Sequence, residues 1–364
     1  MKKLCLIYNT APLYRAPIFR AIDRAYDCDW YFGETKTDIK EMDLSELKHT
    51  QYYKSCGNPQ RLYWQGALIP GLFKRKYKDY FVLAEERSVS FWLFVLLKAL
   101  FFPKKRIFGW SHGWYGREGK WHRRLARWRM KGMDGMFVYN ERARRLMIEG
   151  GIPEEKVFTI YNSLDYDCQK KLREELPPSD IYRRHFGNDH NVIIFIGRLT
   201  AVKRLDMMLR AVTDLKKRGE DYNVVFIGNG TEKGNLQKLA SELEVPAWFY
   251  GACYDERTNA ELVASADLCV SPGNVGLTAI HTLTFGTPVI TNDDFNHQMP
   301  EFESIVPGVT GGFFKAGDEK SLADEISRWF AAHPDRQAVR EACYAEIDGK
   351  WNPENQMRII KAHI

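Results

Sequence analysis

Residues 191–203 read NVIIFIGRLTAVK. Val192 to Ile196 form a short β-branched and aromatic run, the kind that is buried as a parallel strand. Gly197 ends the run. Arg198 and Lys203 follow on the loop that leads into a helical stretch at 205–216, LDMMLRAVTDLK. A guanidinium and an ammonium are thereby predicted at the C-terminal edge of a sheet, beside a helix N-terminus. That geometry grips a diphosphate in open α/β sheets. Gly-Arg-Leu-x-x-x-Lys taken alone reads equally as a solvated loop, so its neighbours decide.

Working outward, the strand-then-helix rhythm recurs on both sides. Strands are expected at 4–8, 29–32, 80–84, 106–110, 135–139 and 157–161, with helices at 17–26 and 141–149. A polar, charge-dense stretch at 169–190 contains Pro177-Pro178 and is the linker candidate. The rhythm then restarts with strands at 192–196, 223–227, 247–250, 268–270 and 289–291. The fold class is read as α/β: two Rossmann-like, doubly wound parallel-sheet domains, residues 1–168 and 169–349, facing a cleft.

The 364 residues suffice for two cores, and 45% hydrophobic with 27% charged is ordinary globular composition. The seven cysteines are scattered, with no CxxC pair to hold zinc and no even set for a disulfide framework. A reducing cytoplasm is the simpler account. The apolar stretch in MKKLCLIYN is too short for a signal peptide and reads as the first strand.

The net charge of +6 is unevenly spread. Lys104, Lys105, Arg106, Arg117, Lys120, Arg123, Arg124, Arg127, Arg129 and Lys131 cluster, with Trp110, Trp114, Trp121 and Trp128 among them. Just before them, residues 91–102 (FWLFVLLKALFF) fall short of the ~20 residues a bilayer span needs and read as a core helix. The basic segment is either a solvated face or a membrane-surface patch. Trp121, Leu125 and Trp128 share one helical stripe ringed by arginine, which favours the patch. An anionic membrane surface is therefore a candidate partner. Nucleic acid is not, because no binding motif accompanies the charge.

The chain resembles the retaining glycosyltransferases of the GT-B fold, specifically the large bacterial family 4. The resemblance rests on IGRLTAVKRLDMMLRA at 196–211, FIGNGTEKGNLQKLA at 226–240, FYGACYDERTNAELVASADLCVSPG at 249–273 and GLTAIHTLTFGTPVIT at 276–291. In the first domain it rests on GWSHGWYG at 109–116 and TIYNSLDYD at 159–167, similar to the family's Asn-Gly-Val-Asp hinge. It implies a donor that is a nucleotide-diphosphate sugar, and a glycan or lipid-linked acceptor in bacterial surface-polysaccharide synthesis. It also implies that the segment 350–364 packs back on the first domain.

One departure stands out. Relatives carry two glutamates eight positions apart, the first on the donor sugar and the second on the nucleotide ribose. Alignment on Gly276 and Gly286-Thr287-Pro288 puts Gly273 and His281 in their places. His281 can still hydrogen-bond a ribose hydroxyl. The turn Gly273, Asn274, Val275, Gly276 and Leu277, with Thr278 after it, can offer backbone N–H groups to sugar or phosphate.

Arg198 and Lys203 would stabilise the departing diphosphate without a metal. No cofactor is expected. Asp165 and Asp167 fit Asp-x-Asp but sit in a hinge-like turn, and Asp293-Asp294 are weak metal candidates. The βα turn Gly228, Asn229 and Gly230 suits close nucleotide approach. Tyr250, Cys253 and Tyr254 lie where the family's backbone reads the base. By resemblance His112, in Ser-His-Gly, contacts the donor sugar or its phosphate. Tyr14 and Arg15 on the first loop are assigned to the acceptor side, as are Glu85 and Glu86. Two other readings stay open. One is a nucleotide-sugar epimerase of the same architecture, which would need carboxylates this chain lacks. The other is a non-catalytic nucleotide-binding protein.

Overall fold

The computed structural model describes residues 3–34, 40–58 and 61–364. The chain folds into two units, Met1–Asp165 with Pro353–Ile364, and Tyr166–Asn352.

The first unit runs β1 (Lys3–Tyr8), α1 (Ala16–Ala25), β2 (Cys28–Gly33), β3 (Thr50–Tyr53), β4 (Ser55–Gly57), β5 (Tyr63–Gln65), α2 (Leu68–Phe73), β6 (Tyr77–Leu83), α3 (Val89–Phe101), β7 (Arg106–Ser111), α4 (Lys120–Lys131), β8 (Gly135–Val138), α5 (Glu141–Glu149) and β9 (Val157–Thr159). Seven strands form one sheet in the order β3-β2-β1-β6-β7-β8-β9, parallel throughout, and β4 and β5 form a small antiparallel ribbon.

The second unit runs α6 (Tyr166–Glu175), α7 (Ile181–Phe186), β10 (Asn191–Ile196), α8 (Leu205–Lys217), β11 (Tyr222–Ile227), α9 (Lys233–Glu242), β12 (Ala247–Gly251), α10 (Glu256–Ser265), β13 (Leu268–Ser271), α11 (Leu277–Thr284), β14 (Val289–Asn292), β15 (Gly311–Phe314), α12 (Glu319–Ala332) and α13 (Arg336–Lys350). Its sheet is parallel, in the order β12-β11-β10-β13-β14-β15. The chain then returns to the first unit as α14 (Pro353–His363).

Strand order reverses direction once in each sheet, between β1 and β6 in the first and between β10 and β13 in the second. At such a switch point neighbouring loops leave to opposite faces of the sheet and open a crevice at the strands' C-terminal ends. The central strands are apolar on both faces because helices cover both, and Ile193, Ile194 and Phe195 are fully buried. The first core is aromatic: Phe81 stacks on Trp110 at 5.0 Å, and Phe19, Trp30 and Phe32 pack beside them. On its edge the His363 ring stacks on Phe158 at 3.6 Å, which fixes α14.

The linker expected at 169–190 is instead helical, as parts of α6 and α7, and belongs to the second unit. Buried Gln169 donates to Glu256 at 2.7 Å, and the Tyr182 hydroxyl donates to the Leu262 carbonyl at 2.6 Å. Charge density misled here because only one side of each short helix is buried. The expected core helix at 91–102 is α3, but Leu96, Leu100 and Phe101 face solvent. Trp110 and Trp114, grouped above with the basic patch, are buried in the first core, at 1% and 4% exposure. Among the described residues no helix is long and apolar enough to cross a membrane.

Candidate functional site

The second sheet's switch point brings together the loops after β10 and β13. Arg198 is exposed on the first of these. The chain then makes one 3-10 turn at Ala201–Lys203 and passes through Arg204 in the left-handed region, φ 49°. The Lys203 ammonium donates to the Asn274 carbonyl at 2.7 Å and to the Asn274 side-chain oxygen at 3.0 Å. In return the Gly273 N–H donates to the Lys203 carbonyl at 2.8 Å. The two loops are thereby laced together. An ammonium has three N–H donors, so one is left over. Lost hydration, and then the Arg198 charge, lower the Lys203 pKa from its ordinary value.

Behind this lacing stands Gln298, 1% exposed. Its oxygen accepts the Val275 N–H at 2.7 Å, and its amide donates to the Asn292 carbonyl at 3.0 Å. Asn292 in turn donates to the carbonyls of Pro272 and Gly273, at 2.9 and 2.7 Å. Two of the backbone N–H groups expected to face a ligand, those of Gly273 and Val275, are therefore spent inside the protein. Thr278, at the start of α11, donates to the Ile196 carbonyl at 2.9 Å, tying the first turn of that helix to the end of β10.

The βα turn after β11 lies against the one after β10. A Cβ at Gly228 would sit 1.8 Å from the Gly197 carbonyl oxygen, so only glycine lets these backbones meet. The Asn229 side chain accepts from Gly230 N–H at 2.9 Å, and its carbonyl accepts from Leu199 N–H at 2.9 Å. Tyr250 lies on β12, with Cys253 and Tyr254 on the loop beyond it. Tyr254 is 89% exposed. Asp293 and Asp294, weak metal candidates, are occupied in turns: Asp293 accepts from Ala316 N–H at 2.9 Å and Asp294 pairs with His297 at 2.7 Å. Among the described residues no group of three His, Cys, Asp or Glu side chains has metal-holding geometry.

The first sheet's C-terminal edge holds a cavity of 530 Å³ that brings together Glu85, Glu86, His112, Glu118, His122 and Arg129. Ser111 and Glu118 shape its floor, since the Ser111 hydroxyl accepts from Gly113 N–H and Glu118 accepts from Tyr115 and Gly116 N–H. Glu86 meets His122 at 2.5 Å and Arg129 at 3.1 Å. Burial by itself would raise Glu86, but Arg129 and His122 hold it below the usual carboxylate range. Its neighbour Glu85 goes the other way: lost hydration raises it, Arg87 opposes, and Glu86 adds to the rise. His112 is exposed to solvent and meets the Tyr139 ring edge-on at 5.0 Å. Desolvation and the Arg15 charge lower its pKa. A neutral imidazole beside carboxylates of split acidity is suited to hydrogen-bonding hydroxyl groups.

Arg15 is not at the surface, as an acceptor-side residue would be. It is 4% exposed, donates to the Tyr139 hydroxyl, and lies 5.0–5.5 Å from the ring centres of Tyr8, Tyr14, Trp110 and Tyr139. Aromatic faces rather than a carboxylate hold its charge. Of the two expected acceptor residues on the first loop, Tyr14 alone retains some exposure.

Residues 180–346 match the model of the family described as Glycosyl transferases group 1. Over these residues the chain is similar to a group 1 glycosyltransferase domain. Over 150 residues it is 30% identical to an uncharacterised glycosyltransferase of Methanocaldococcus jannaschii, covering 38% of this chain and 37% of that one. Over 114 residues it is 32% identical to a GDP-mannose-dependent α-(1-6)-phosphatidylinositol dimannoside mannosyltransferase of Mycobacterium tuberculosis, covering 30% and 29%. The match thus spans less than half the length of these curated relatives. Among solved structures, Anabaena HepE in complex with UDP superposes with a TM-score of 0.73 at 16% identity, covering 100% of this chain and 99% of that one. A glycosyltransferase from Rickettsia africae superposes with a TM-score of 0.74 at 14% identity, covering 99% and 97%. These likenesses show the fold, two Rossmann-like domains of the GT-B class.

The packing around the Lys203 loop accounts in physical terms for the glycine at position 273. A Cβ at position 273 would lie 2.0 Å from the Val202 carbonyl oxygen and 2.7 Å from Lys203 Cα. The lacing that holds Lys203 leaves room for no side chain there. His281 is not free, as expected of a ribose contact. Its Nε2 lies 2.9 Å from Glu256, and only 14% of its side chain is exposed. Sequence reading missed Glu256, Gln298 and His122, and it grouped Arg129 with the basic surface patch although Arg129 is buried against Glu86. Each is held by a partner distant in the chain, and no local spacing announces such pairs.

Proposed function

We propose that this chain is a retaining, metal-independent glycosyltransferase. It takes a sugar from a nucleotide-diphosphate sugar to a glycan acceptor, lipid-linked at the inner face of the cytoplasmic membrane, in bacterial surface-polysaccharide synthesis. One observation carries the reading. At the switch point of the second sheet an exposed arginine stands beside a lysine fixed by two hydrogen bonds, on loops that meet backbone to backbone. Preorganised cations at that place stabilise a departing diphosphate as its charge develops. The polar cavity of the first unit supplies hydrogen-bonding groups of the kind a sugar acceptor needs.

The support from relatives is of the same kind. HepE structures contain UDP and UDP-glucose, and the Mycobacterium enzyme is named for GDP-mannose and a phosphatidylinositol mannoside. The test is calorimetry with UDP and GDP, followed by turnover with the sugar nucleotides of whichever base binds. Arg198→Ala and Lys203→Ala should each lower turnover by ~100-fold or more while the protein stays folded. Binding of neither diphosphate, or near-normal turnover in both variants, would overturn the proposal. Conversion of the donor to its epimer without release of nucleotide would reassign the chain to epimerisation.

A further inference from the structure

We infer that α3 and α4 together form a docking surface for an anionic lipid bilayer. This rests on the lipid-linked acceptor proposed above, and it specifies the face of the molecule that meets the membrane. α3 reads VSFWLFVLLKALF and is apolar nearly all round. Its inner face buries Phe91, Phe94 and Val95, and its one charge, Lys98, is buried against Asp134 at 2.9 Å. The outer face carries Val89, Leu93, Leu96 and Leu100, spaced by four, three and four residues along one stripe. Leu100 and Phe101 are 63% and 66% exposed. A helix of this composition is ordinarily covered.

α4 carries a second stripe, Trp121, Leu125 and Trp128, and all three side chains are exposed. Trp92 of α3 stacks on Trp128 at 6.2 Å and 16°, which joins the two stripes.

Charge selects the occupant. Neither helix contains an acidic residue. Lys120, Arg124, Arg127 and Lys131 are exposed along α4, and Lys104 is exposed just beyond α3. The Arg124 guanidinium lies 5.7 Å over the Trp121 ring. A second copy of this chain would bring these cations face to face. An anionic bilayer instead neutralises them while taking the tryptophans and leucines into its headgroup boundary. The inner side of α4 supplies His122 and Arg129 to the 530 Å³ cavity. Docking by the outer side therefore lays one wall of that cavity along the membrane.

Sedimentation with vesicles of phosphatidylglycerol and phosphatidylcholine in equal parts tests this. The full chain should bind these vesicles and ignore phosphatidylcholine alone. Binding should weaken as salt rises, because the attraction is screened beyond ~8 Å at physiological ionic strength. The variant R124E/R127E/K131E should lose about tenfold or more of its vesicle binding at low salt. W121S/L125S/W128S should lose the part that resists salt. The charge variant touches only exposed side chains and should keep the parent's melting curve. The apolar variant loses the Trp92–Trp128 stack and should melt somewhat earlier but still cooperatively. Nucleoside diphosphate binding of both should match the parent. Absence of binding to the anionic vesicles at low salt would overturn the inference, as would parental binding by both variants. So would a solution dimer broken by L96S/L100S in a protein that ignores vesicles. If vesicle binding holds and no nucleoside diphosphate binds, the docking surface stands and the glycosyltransferase reading alone fails.

Discussion

The two sheets share one strand order over six strands, the first adding β9 at its edge, yet finish their C-terminal edges in opposite ways. The first ends in long side chains, Glu85, Glu86, His112 and Arg129 around a cavity, with the caged Arg15 close to His112. The second ends in glycines and amides that bring backbone against backbone, with Lys203 fixed by Asn274. A surface of side chains discriminates hydroxyl groups by shape and hydrogen bonding. A surface of close backbone and fixed cations suits phosphate, whose charge is the same on every sugar nucleotide. On the function proposed above, recognition is divided: the diphosphate falls to the backbone edge and the acceptor hydroxyls to the side-chain edge.

Introducing the relatives' residue with Gly273→Glu strikes at the backbone lacing and should have the largest effect. With a Cβ forced 2.0 Å from the Val202 oxygen, the loop that presents Lys203 must move. Nucleoside diphosphate affinity and turnover should both fall by ~100-fold or more. Improved turnover would show that the lacing is dispensable.

The side-chain edge is probed by Glu86→Ala, which leaves Arg129 buried at 2% exposure without its carboxylate. The expected cost is ~3 kcal/mol of stability, read by denaturant unfolding. Diphosphate affinity should not change, because the residue belongs to the other edge. A variant as stable as the parent would mean the cavity is not held by this cluster.

Asn274→Ala removes one of the two bonds on Lys203 and keeps the backbone one. We expect turnover to drop by about tenfold with a small change in diphosphate affinity, the pattern of a positioning residue. An equal fall in affinity would mean that Asn274 contacts the ligand directly.

The smallest effect concerns pH. The Lys203 pKa lies below that of a free lysine because of lost hydration and the Arg198 charge. Its cation is present below that lowered value and is lost as pH rises through it. Diphosphate affinity should therefore decline at lower pH than an ordinary lysine would dictate. Lys203→Arg, which stays charged, should flatten this alkaline limb. An unchanged limb would place the titration elsewhere.

Most of the fold was legible because buried parallel strands are continuous apolar runs and their spacing repeats. The strand at 192–196 and the helix at 141–149 emerge almost as read. Short edge strands were not legible. β3 has the sequence TQYY and β15 has GGFF, neither apolar enough to announce itself. The helices at 166–186 were mistaken for a linker because their anchors, Gln169 and Tyr182, are single residues in charged surroundings.

The sequence by itself determined which chemical groups stand at the switch points. A strand that ends in Gly-Arg and is followed five residues later by lysine leaves those cations at a sheet edge, whatever surrounds them. Partnership was decided by the tertiary structure alone. Arg198 stays exposed while Arg15 and Arg129 are buried, one among aromatic rings and the other against Glu86. His281 turns to Glu256, and Gly273 is glycine because Val202 and Lys203 occupy the space a side chain would fill. Residue type sets what a group can do. What it meets depends on contacts between distant segments, and those exist only once both sheets have closed.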